Sequence, residues 1–99
     1  MKEFTVKEVQ QAIEQGKKLN LIDVRESDEV EAGHIPGIIH IPLHLMEFRM
    51  QELDKNKSYI MVCRSGARSG RATQLLASYG FDVANMTGGM SAWKGQVQQ

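Results

Sequence analysis

Four short runs of mostly apolar residues, separated by segments with helical spacing, most constrain how this chain can fold. The runs span residues 19–24, 38–41, 59–62 and 81–86. Short runs that are apolar at consecutive positions are typical of strands buried on both faces, and such strands belong to parallel sheets. Because strands and helices alternate along the chain, the sequence predicts an α/β fold in which helices cover both faces of a mainly parallel sheet.

The segments between the runs carry the signals that begin and end helices. Thr5 and Glu8 form a capping box, in which the threonine side chain accepts from a helical amide and the glutamate reaches back to the threonine amide. Ser27 is placed to cap the second helix, and acidic residues follow it where the helix dipole favours them. The predicted helices lie between Thr5 and Gly16, between Ser27 and Gly33, from Leu43 to Leu53, between Gly66 and Gly80, and around Ser91 to Lys94.

The composition is that of an ordinary globular protein and excludes several classes. With 99 residues the chain has room for one core, and we expect a single domain over residues 1–99. The formal net charge is zero, so no overall charge favours nucleic acid or an anionic membrane surface as a partner. No apolar run is long enough to span a membrane, and the amino-terminal residues lack a signal-peptide core. We therefore expect a cytoplasmic protein that binds neither nucleic acid nor membrane. A monomer is the default expectation, and the sequence leaves an oligomer open.

The only cysteine, Cys63, lies where the run at residues 59–62 ends and a loop begins, ahead of a helix. It cannot form a disulfide within the chain, and on composition alone a buried core thiol is its commonest role. Its position changes this interpretation. Ligands of open α/β sheets bind beyond the carboxyl ends of the strands, and the unpaired amides at the start of a helix suit an anion. A thiolate in this place is itself the anion, so Cys63 is a candidate nucleophile.

We predict that the pKa of Cys63 lies below its ordinary value. A helix terminus stabilises a charge by ~0.3–1 kcal/mol, or ~2 kcal/mol when partly buried, which moves a thiol by roughly one pKa unit. A larger shift requires hydrogen bonds from loop amides or nearby cations. Arg64 and Arg68 are the obvious cations, and Arg71 adds to the positive field around the loop. Gly66 relieves crowding where the backbone turns its amides toward an anion.

Four segments of the chain, in order, resemble the signatures of the rhodanese (thiosulfate sulfurtransferase) family. They are residues 21–26, Glu29 with residues 33–37 and 41–42, residues 62–69, and residues 88–89 with 92–93. One departure from the family pattern is Val30, where an aromatic residue is common, and it affects packing more than chemistry. The resemblance implies a three-layer α/β/α fold with a sheet of about five strands, in which Cys63 stands at the head of the fourth strand.

The resemblance also implies a function, the transfer of sulfane sulfur. Cys63 would attack a donor such as thiosulfate, release sulfite and hold a persulfide, which a thiol, cyanide or a protein acceptor removes. No metal or organic cofactor is required. Amides from Arg64 to Ser69 would stabilise the persulfide, and Arg64 and Arg68 would hold the anionic donor. The site carried over from the family consists of the catalytic Cys63 and the anion-binding loop Arg64, Ser65, Gly66, Ala67, Arg68 and Ser69.

Four further residues are candidates for supporting roles. Asp23 and Arg25 leave a strand at its carboxyl end, and we favour a framework ion pair over contact with the substrate. His34, beside a turn, is interpreted as a structural hydrogen-bonding residue, and Trp93 as a packing residue or a neighbour of the loop. The three histidines of the chain have prolines among them, so we expect no metal site.

Two other functions fit parts of the pattern. Protein tyrosine phosphatases and arsenate reductases also use a reactive cysteine. In phosphatases five residues separate the cysteine from the arginine, whereas four separate Cys63 from Arg68 here. Phosphatases also need an acid for the leaving group, and no acidic residue lies in or just after this loop. The other alternative is a persulfide carrier or a binding-only module, because an intact loop does not by itself establish turnover. The sulfurtransferase interpretation is favoured over both.

Overall fold

At the centre of the fold is a sheet of five parallel strands, seen in a computed structural model that describes all 99 residues. The strands are β1 (Glu3–Thr5), β2 (Asn20–Asp23), β3 (Ile39–His40), β4 (Ser58–Val62) and β5 (Asp82–Thr87). Their order across the sheet is β1-β5-β4-β2-β3, and every neighbouring pair is parallel. The predicted sheet is confirmed, and its central strand is β4, which leads directly to Cys63.

Helices flank the sheet on both sides. The α-helices are α1 (Val6–Glu14), α2 (Ser27–Ala32), α3 (Met46–Arg49) and α4 (Ala67–Ser78), and single turns of 3-10 helix span Leu43–Leu45, Met50–Glu52 and Met90–Ala92. The predicted capping box begins α1: Thr5 Oγ1 accepts from the Glu8 amide at 3.0 Å, and the Thr5 amide donates to Glu8 Oε1 at 2.8 Å. None of the helices combines the length and the apolar character needed to cross a membrane.

The start of α2 differs from the prediction. Ser27 is the first helical residue and not the cap, and Glu26 precedes the helix with extended backbone geometry. The Glu26 amide donates to Glu29 Oε1 at 3.0 Å. Because this carboxylate satisfies the amide that precedes the helix, α2 begins without the predicted serine cap.

The segment predicted as one helix from Leu43 to Leu53 is a short α3 between two turns of 3-10 helix. Its first amide, that of Leu43, donates to the Val24 carbonyl at 3.0 Å, which ties the segment to the chain just after β2. At the other end, Leu53 has extended geometry. Apolar residues of this segment still pack against the core, so the spacing predicted the buried face but not a regular helix.

Two short elements near the ends of the chain also differ from the prediction. β1 has three residues, of which only Phe4 is apolar, and it pairs with β5 with Phe4 beside Met86. The helix predicted around residues 91–94 is a single 3-10 turn, Met90–Ala92. Such short elements carry too few residues to display a period of their own.

The strands alternate their side chains between the two faces of the sheet and so build two hydrophobic clusters. On one face, the fully buried Ile22 and Met61 belong to the same cluster as Leu76 of α4. On the other face, Leu21 and Val62 belong to the cluster that includes α1. Burying a side chain of this size contributes ~1.5–3 kcal/mol. The helices on both faces confirm the predicted three-layer α/β/α arrangement.

Candidate active site

Cys63 follows the central strand β4 directly and lies at its carboxyl end. Its side chain is fully buried and packs with the hydrophobic cluster on the α4 side of the sheet. Cys63 Sγ accepts a hydrogen bond from the Gly66 amide at 3.0 Å, and Ser69 Oγ lies 3.2 Å from the sulfur. The loop above is exposed at Arg64 and Ser65. The sulfur therefore lies at the base of an exposed loop, between polar hydrogen-bond donors and the core.

The backbone conformation of Gly66 directs an amide at the sulfur. Gly66 precedes the first residue of α4 and has a φ of +105°, in the left-handed region that favours glycine. A side chain here would be strained by the backbone, although its Cβ would meet only ordinary contacts with β5 and the residue after it. This conformation is consistent with the predicted role of Gly66, which is to let the backbone turn its amides toward an anion.

Burial and hydrogen bonding act on the Cys63 thiol in opposite directions. Burial raises the pKa of Cys63, whereas the Ser69 hydroxyl and the amides of Ser69, Gly66 and Ser65 lower the pKa of this thiol by hydrogen bonding. The result is a pKa below the ordinary value, in the predicted direction. The shift arises mainly from loop donors, and the largest of them is the side chain of Ser69, a residue expected from the sequence to contribute only its amide.

The two loop arginines are in different environments. Arg68 donates from Nη1 and Nη2 to the carboxylate of Glu29, at 2.6 and 2.8 Å. This fork of hydrogen bonds lowers the pKa of Glu29 to about 2. Arg64 is exposed, and its side chain has no ion pair or hydrogen bond. The sequence predicts that both arginines hold an anionic sulfur donor. Only Arg64 could contact such an anion without breaking an ion pair.

The glycine pair at residues 88–89 brings a second segment against the back of the loop. The Met90 amide donates to the Cys63 carbonyl, and the Ser91 amide donates to the Arg64 carbonyl, both at 2.8 Å. A Cβ on Gly89 would lie 2.5 Å from both of these carbonyl oxygens. The Cys63 and Arg64 carbonyls thus point toward the Met90–Ala92 turn. The amides of the cysteine loop are left to face the sulfur.

Asn85 of β5 is a site residue that was not predicted from the sequence. It is 4% exposed; Oδ1 lies 2.5 Å from Ser69 Oγ, and Nδ2 donates to the Gly66 carbonyl at 3.1 Å. The one signal in the sequence is a polar amide within an otherwise largely apolar run, since a buried amide requires partners. The sequence does not indicate which partners these are.

Asp23, Arg25 and His34 have structural contacts. Arg25 Nη2 donates to Asp23 Oδ2 and to the Gly33 carbonyl, both at 2.8 Å, and both charged side chains are buried. The Arg25 side chain thus joins Asp23 at the end of β2 to Gly33 just after α2, as the framework interpretation predicts. His34 Nδ1 donates to the Val30 carbonyl at 2.9 Å, in agreement with its predicted structural role. No three His, Cys, Asp or Glu side chains are grouped as metal ligands.

Trp93 packs on the opposite side of the sheet from Cys63. It lies against the cluster on the α1 side, and Nε1 donates to the Gln96 carbonyl at 3.2 Å. It also lines a cavity of about 670 Å³, together with residues of α1 and the amino end of β2. No residue of the cysteine loop lines this cavity. Of the two predicted roles, packing is the one that the contacts support.

The fold and the cysteine loop together define the family of this chain. A central parallel strand ends in a buried cysteine, and its sulfur receives an amide from the start of the following helix. The family model described as "Rhodanese-like domain" matches residues 5–96. The chain belongs to the rhodanese-like family, and the resemblance noted in its sequence is confirmed.

Relatives and solved structures of this family are similar over nearly the whole chain. The protein named "Putative sulfurtransferase YtwF" from Bacillus subtilis (strain 168) is 41% identical over 98 residues, which cover 99% of this chain and 95% of that protein. "Putative sulfur carrier protein YrkF" from the same organism is 38% identical over 97% of this chain, which spans about half (52%) of that protein. A crystal structure of a rhodanese-like domain protein from Staphylococcus aureus superposes with a TM-score of 0.93 at 31% identity, over 99% of this chain and 97% of the other.

Proposed function

We propose that this chain moves sulfane sulfur from a small anionic donor, such as thiosulfate, to a thiol, cyanide or protein acceptor through a persulfide on Cys63. The observation that carries the proposal is the hydrogen bond of 3.0 Å from the Gly66 amide to Cys63 Sγ, at the start of α4. An amide in this position stabilises negative charge on the Cys63 sulfur before and during attack. The names of the similar Bacillus proteins support the same class of reaction.

The reaction divides into two displacements at sulfur. In the first, the Cys63 thiolate attacks the outer sulfur of thiosulfate; a sulfur–sulfur bond forms to Cys63, the bond within thiosulfate breaks, and sulfite leaves with the electron pair. In the second, an acceptor thiolate attacks the outer sulfur of the persulfide, and the electron pair of the broken bond returns to Cys63. Charge and atoms balance in both steps without a metal, a redox partner or an organic cofactor. The protein supplies the nucleophile and its stabilisation.

The anionic donor must approach a site that already carries the Cys63 thiolate. Arg64 is the free cation at the mouth of the loop, and we assign it the first contact with the donor. Arg68 is held by Glu29, so its charge acts on the site over a distance while its side chain joins α4 to α2. In this proposal Arg64 binds the donor and Arg68 maintains the loop.

A persulfide carrier is the second candidate, and the burial of Cys63 favours it over a binding-only module. The Cys63 sulfur is buried at the base of the loop and shielded from bulk water, which suits storage of a persulfide as well as turnover. In addition, the relative YrkF is named as a sulfur carrier. The two candidates share the first displacement and differ in the rate of the second.

Intact mass spectrometry tests the proposal. Purified protein is incubated with thiosulfate, and we expect the mass of one added sulfur, which cyanide then removes as thiocyanate. Cys63→Ser is the control; it should remain folded by circular dichroism and take up no sulfur. A carrier would show full loading but slow release to cyanide. Thiocyanate formation by the serine variant, or no loading by any donor, would refute the proposal, and hydrolysis of an aryl phosphate would favour the phosphatase alternative.

A further inference from the structure

The side chain of Asn85 lies between two parts of the cysteine loop. Its Oδ1 is 2.5 Å from Ser69 Oγ, and its Nδ2 donates to the Gly66 carbonyl at 3.1 Å. Asn85 is 4% exposed and Ser69 is fully buried, so both side chains are removed from solvent. Because neither side chain can replace a lost partner with water, a change in the hydrogen bonds of one residue affects those of the other.

The Gly66 carbonyl fixes the orientation of the Asn85 amide. If the amide were turned over, its oxygen would face the carbonyl oxygen and two acceptors would meet without a proton between them. Oδ1 must therefore face Ser69, and it can only accept. The Gly66 carbonyl also accepts from the Gly70 amide at 3.0 Å, so this carbonyl does not depend on Asn85 alone.

The Ser69 hydroxyl has one proton and two acceptors within reach. It lies 2.5 Å from Asn85 Oδ1 and 3.2 Å from Cys63 Sγ. When Cys63 is a neutral thiol, its S–H can donate to Ser69 Oγ, and the hydroxyl proton goes to Asn85. When Cys63 is a thiolate, the sulfur has no proton to offer and the hydroxyl is drawn to the anion. Asn85 Oδ1 then loses its donor.

We propose that Asn85 is a positioning residue that holds the Ser69 proton while Cys63 is a neutral thiol and gives it up when the sulfur becomes an anion. Asn85 thus competes with the sulfur for a single hydrogen bond and opposes premature ionisation. In a persulfide the negative charge moves to the outer sulfur, so the inner Sγ becomes a weak acceptor and the proton returns to Asn85. This last step rests on the proposed sulfur transfer, whereas the competition in the free protein does not.

The charged groups around the sulfur are not part of this exchange. They are Arg64 in the loop, Arg68 of α4 with its partner Glu29 of α2, Arg71 of α4, the Asp23–Arg25 pair at the sulfur-side end of β2, and the exposed Glu3 of β1, which lies in register beside Asn85. β5 and the Met90–Ala92 turn add no charged side chain next to Asn85. Because changes at Asn85 and Ser69 leave all of these groups in place, their influence on the sulfur should largely cancel in a comparison of variants.

The test is a double-mutant cycle on the pKa of Cys63, measured from the ultraviolet absorbance of the thiolate. Asn85→Leu keeps the approximate size and removes the acceptor, so we expect the pKa to fall by about half a unit to one unit. Ser69→Ala should raise the pKa, and Asn85→Leu should have no further effect in that background. A residue that only anchored the loop would give the opposite sign, because a looser Gly66 amide stabilises the thiolate less. Asn20→Leu is the control, since Asn20 Nδ2 binds the Ser58 carbonyl at the far end of the sheet.

If Asn85→Leu does not fold, the infrared spectrum of the Cys63 thiol in protein that retains Asn85 tests the inference instead. The chain has one cysteine, so its infrared spectrum contains one S–H stretching band. At a pH where Cys63 is a thiol, we expect the band of a donating S–H, and Ser69→Ala should shift it toward the frequency of a free thiol. A band that Ser69→Ala leaves unchanged, a rise in pKa with Asn85→Leu, or a shift that persists without Ser69 would overturn the inference. None of these readouts requires sulfur transfer, so they separate this inference from the proposed function.

Discussion

Arg68 and Glu29 lie 39 residues apart in the sequence and form a two-pronged ion pair, with N–O distances of 2.6 and 2.8 Å. Arg68 is the last arginine of the cysteine loop pattern, and Glu29 belongs to α2. The pair therefore joins the helix that follows the sulfur to the opposite side of the active-site mouth. Neither side chain is fully buried, so its contribution to stability is reduced by solvent screening.

The pH dependence of stability should reveal this pair. The folded-state pKa of Glu29 is about 2, below its ordinary value of 4.5. A carboxyl group with a depressed pKa contributes stability above its unfolded-state pKa, and this stability is lost as pH falls from 4.5 toward 2. Glu29→Gln should therefore lower the free energy of unfolding by about 1 kcal/mol near neutral pH. Urea denaturation across this pH range measures it, with Glu31→Gln on the same helix as control; an equal effect of both variants, or a difference that persists in acid, would contradict the prediction.

The alkylation rate of Cys63 should report its lowered pKa. Only the thiolate reacts with iodoacetamide, and hydrogen bonds from Ser69, Gly66 and Ser65 hold the pKa of Cys63 below the ordinary value. An ordinary thiol reaches half of its maximal alkylation rate at a pH of ~8.5. For Cys63 the half-maximal rate should occur at a lower pH. The midpoint of the rate–pH profile, compared with that of an unfolded sample, measures the shift. A midpoint at or above the unfolded value would show that burial outweighs the hydrogen bonds.

Gly89→Ala should disrupt the back of the cysteine loop. Its Cβ would lie 2.5 Å from the carbonyl oxygens of Cys63 and Arg64, and its φ of +56° is in the left-handed region. With a ψ of −161°, this conformation is essentially restricted to glycine and costs ~1–3 kcal/mol for a residue with a side chain, and the clash adds to this. We expect the loss of more than ~2 kcal/mol in the free energy of unfolding, together with altered Cys63 alkylation. Gly37→Ala is the matched control, because Gly37 has a φ of +81° but no atom within 4 Å of the point where its Cβ would lie. Similar losses in both variants would mean that backbone geometry alone is responsible.

Arg64→Gln should weaken donor binding without changing the cysteine itself. Arg64 is exposed and unpaired, and a contact between its guanidinium group and an anionic donor in partial solvent is expected to change KM for thiosulfate by about three- to tenfold. Steady-state kinetics measure KM and kcat, and alkylation by the neutral iodoacetamide should be unaffected. Arg71→Gln removes another exposed arginine and is the control. An unchanged KM, or an equal change in the control, would remove Arg64 from the donor site.

The parts of the fold that the sequence predicted are those whose signal is local. The buried strands appear as apolar runs, and the position of Cys63 after β4 follows from the run that precedes it. The three residues of β1 carry no such signal, because the strand is recognisable only through its pairing with β5. The broken helix before β4 shows the same limit, since its path depends on a hydrogen bond from Leu43 to Val24.

The candidate site divides in the same way. The loop amides follow from a cysteine placed before a helix, and this much was predictable. The Ser69 hydroxyl was not, because its contact with the sulfur depends on the rotation of α4 above β4. Asn85 comes from another strand and reaches the loop only through the register of the sheet, in which it lies beside Met61. The partner of Arg68 is likewise decided by packing between two helices and not by spacing along the chain.

The central position of β4 has a mechanical consequence. The strand is hydrogen-bonded to β2 on one side and to β5 on the other, and the cysteine that follows it is packed into the core. Segments of this kind are among the last parts of a domain to open. The sulfur of Cys63 is therefore nearly stationary, and in the proposed transfer a partner would bring its own sulfur to a fixed point in space. The speed of such an exchange with another protein would depend on how that protein docks over the loop, and little on motion of the strand beneath it.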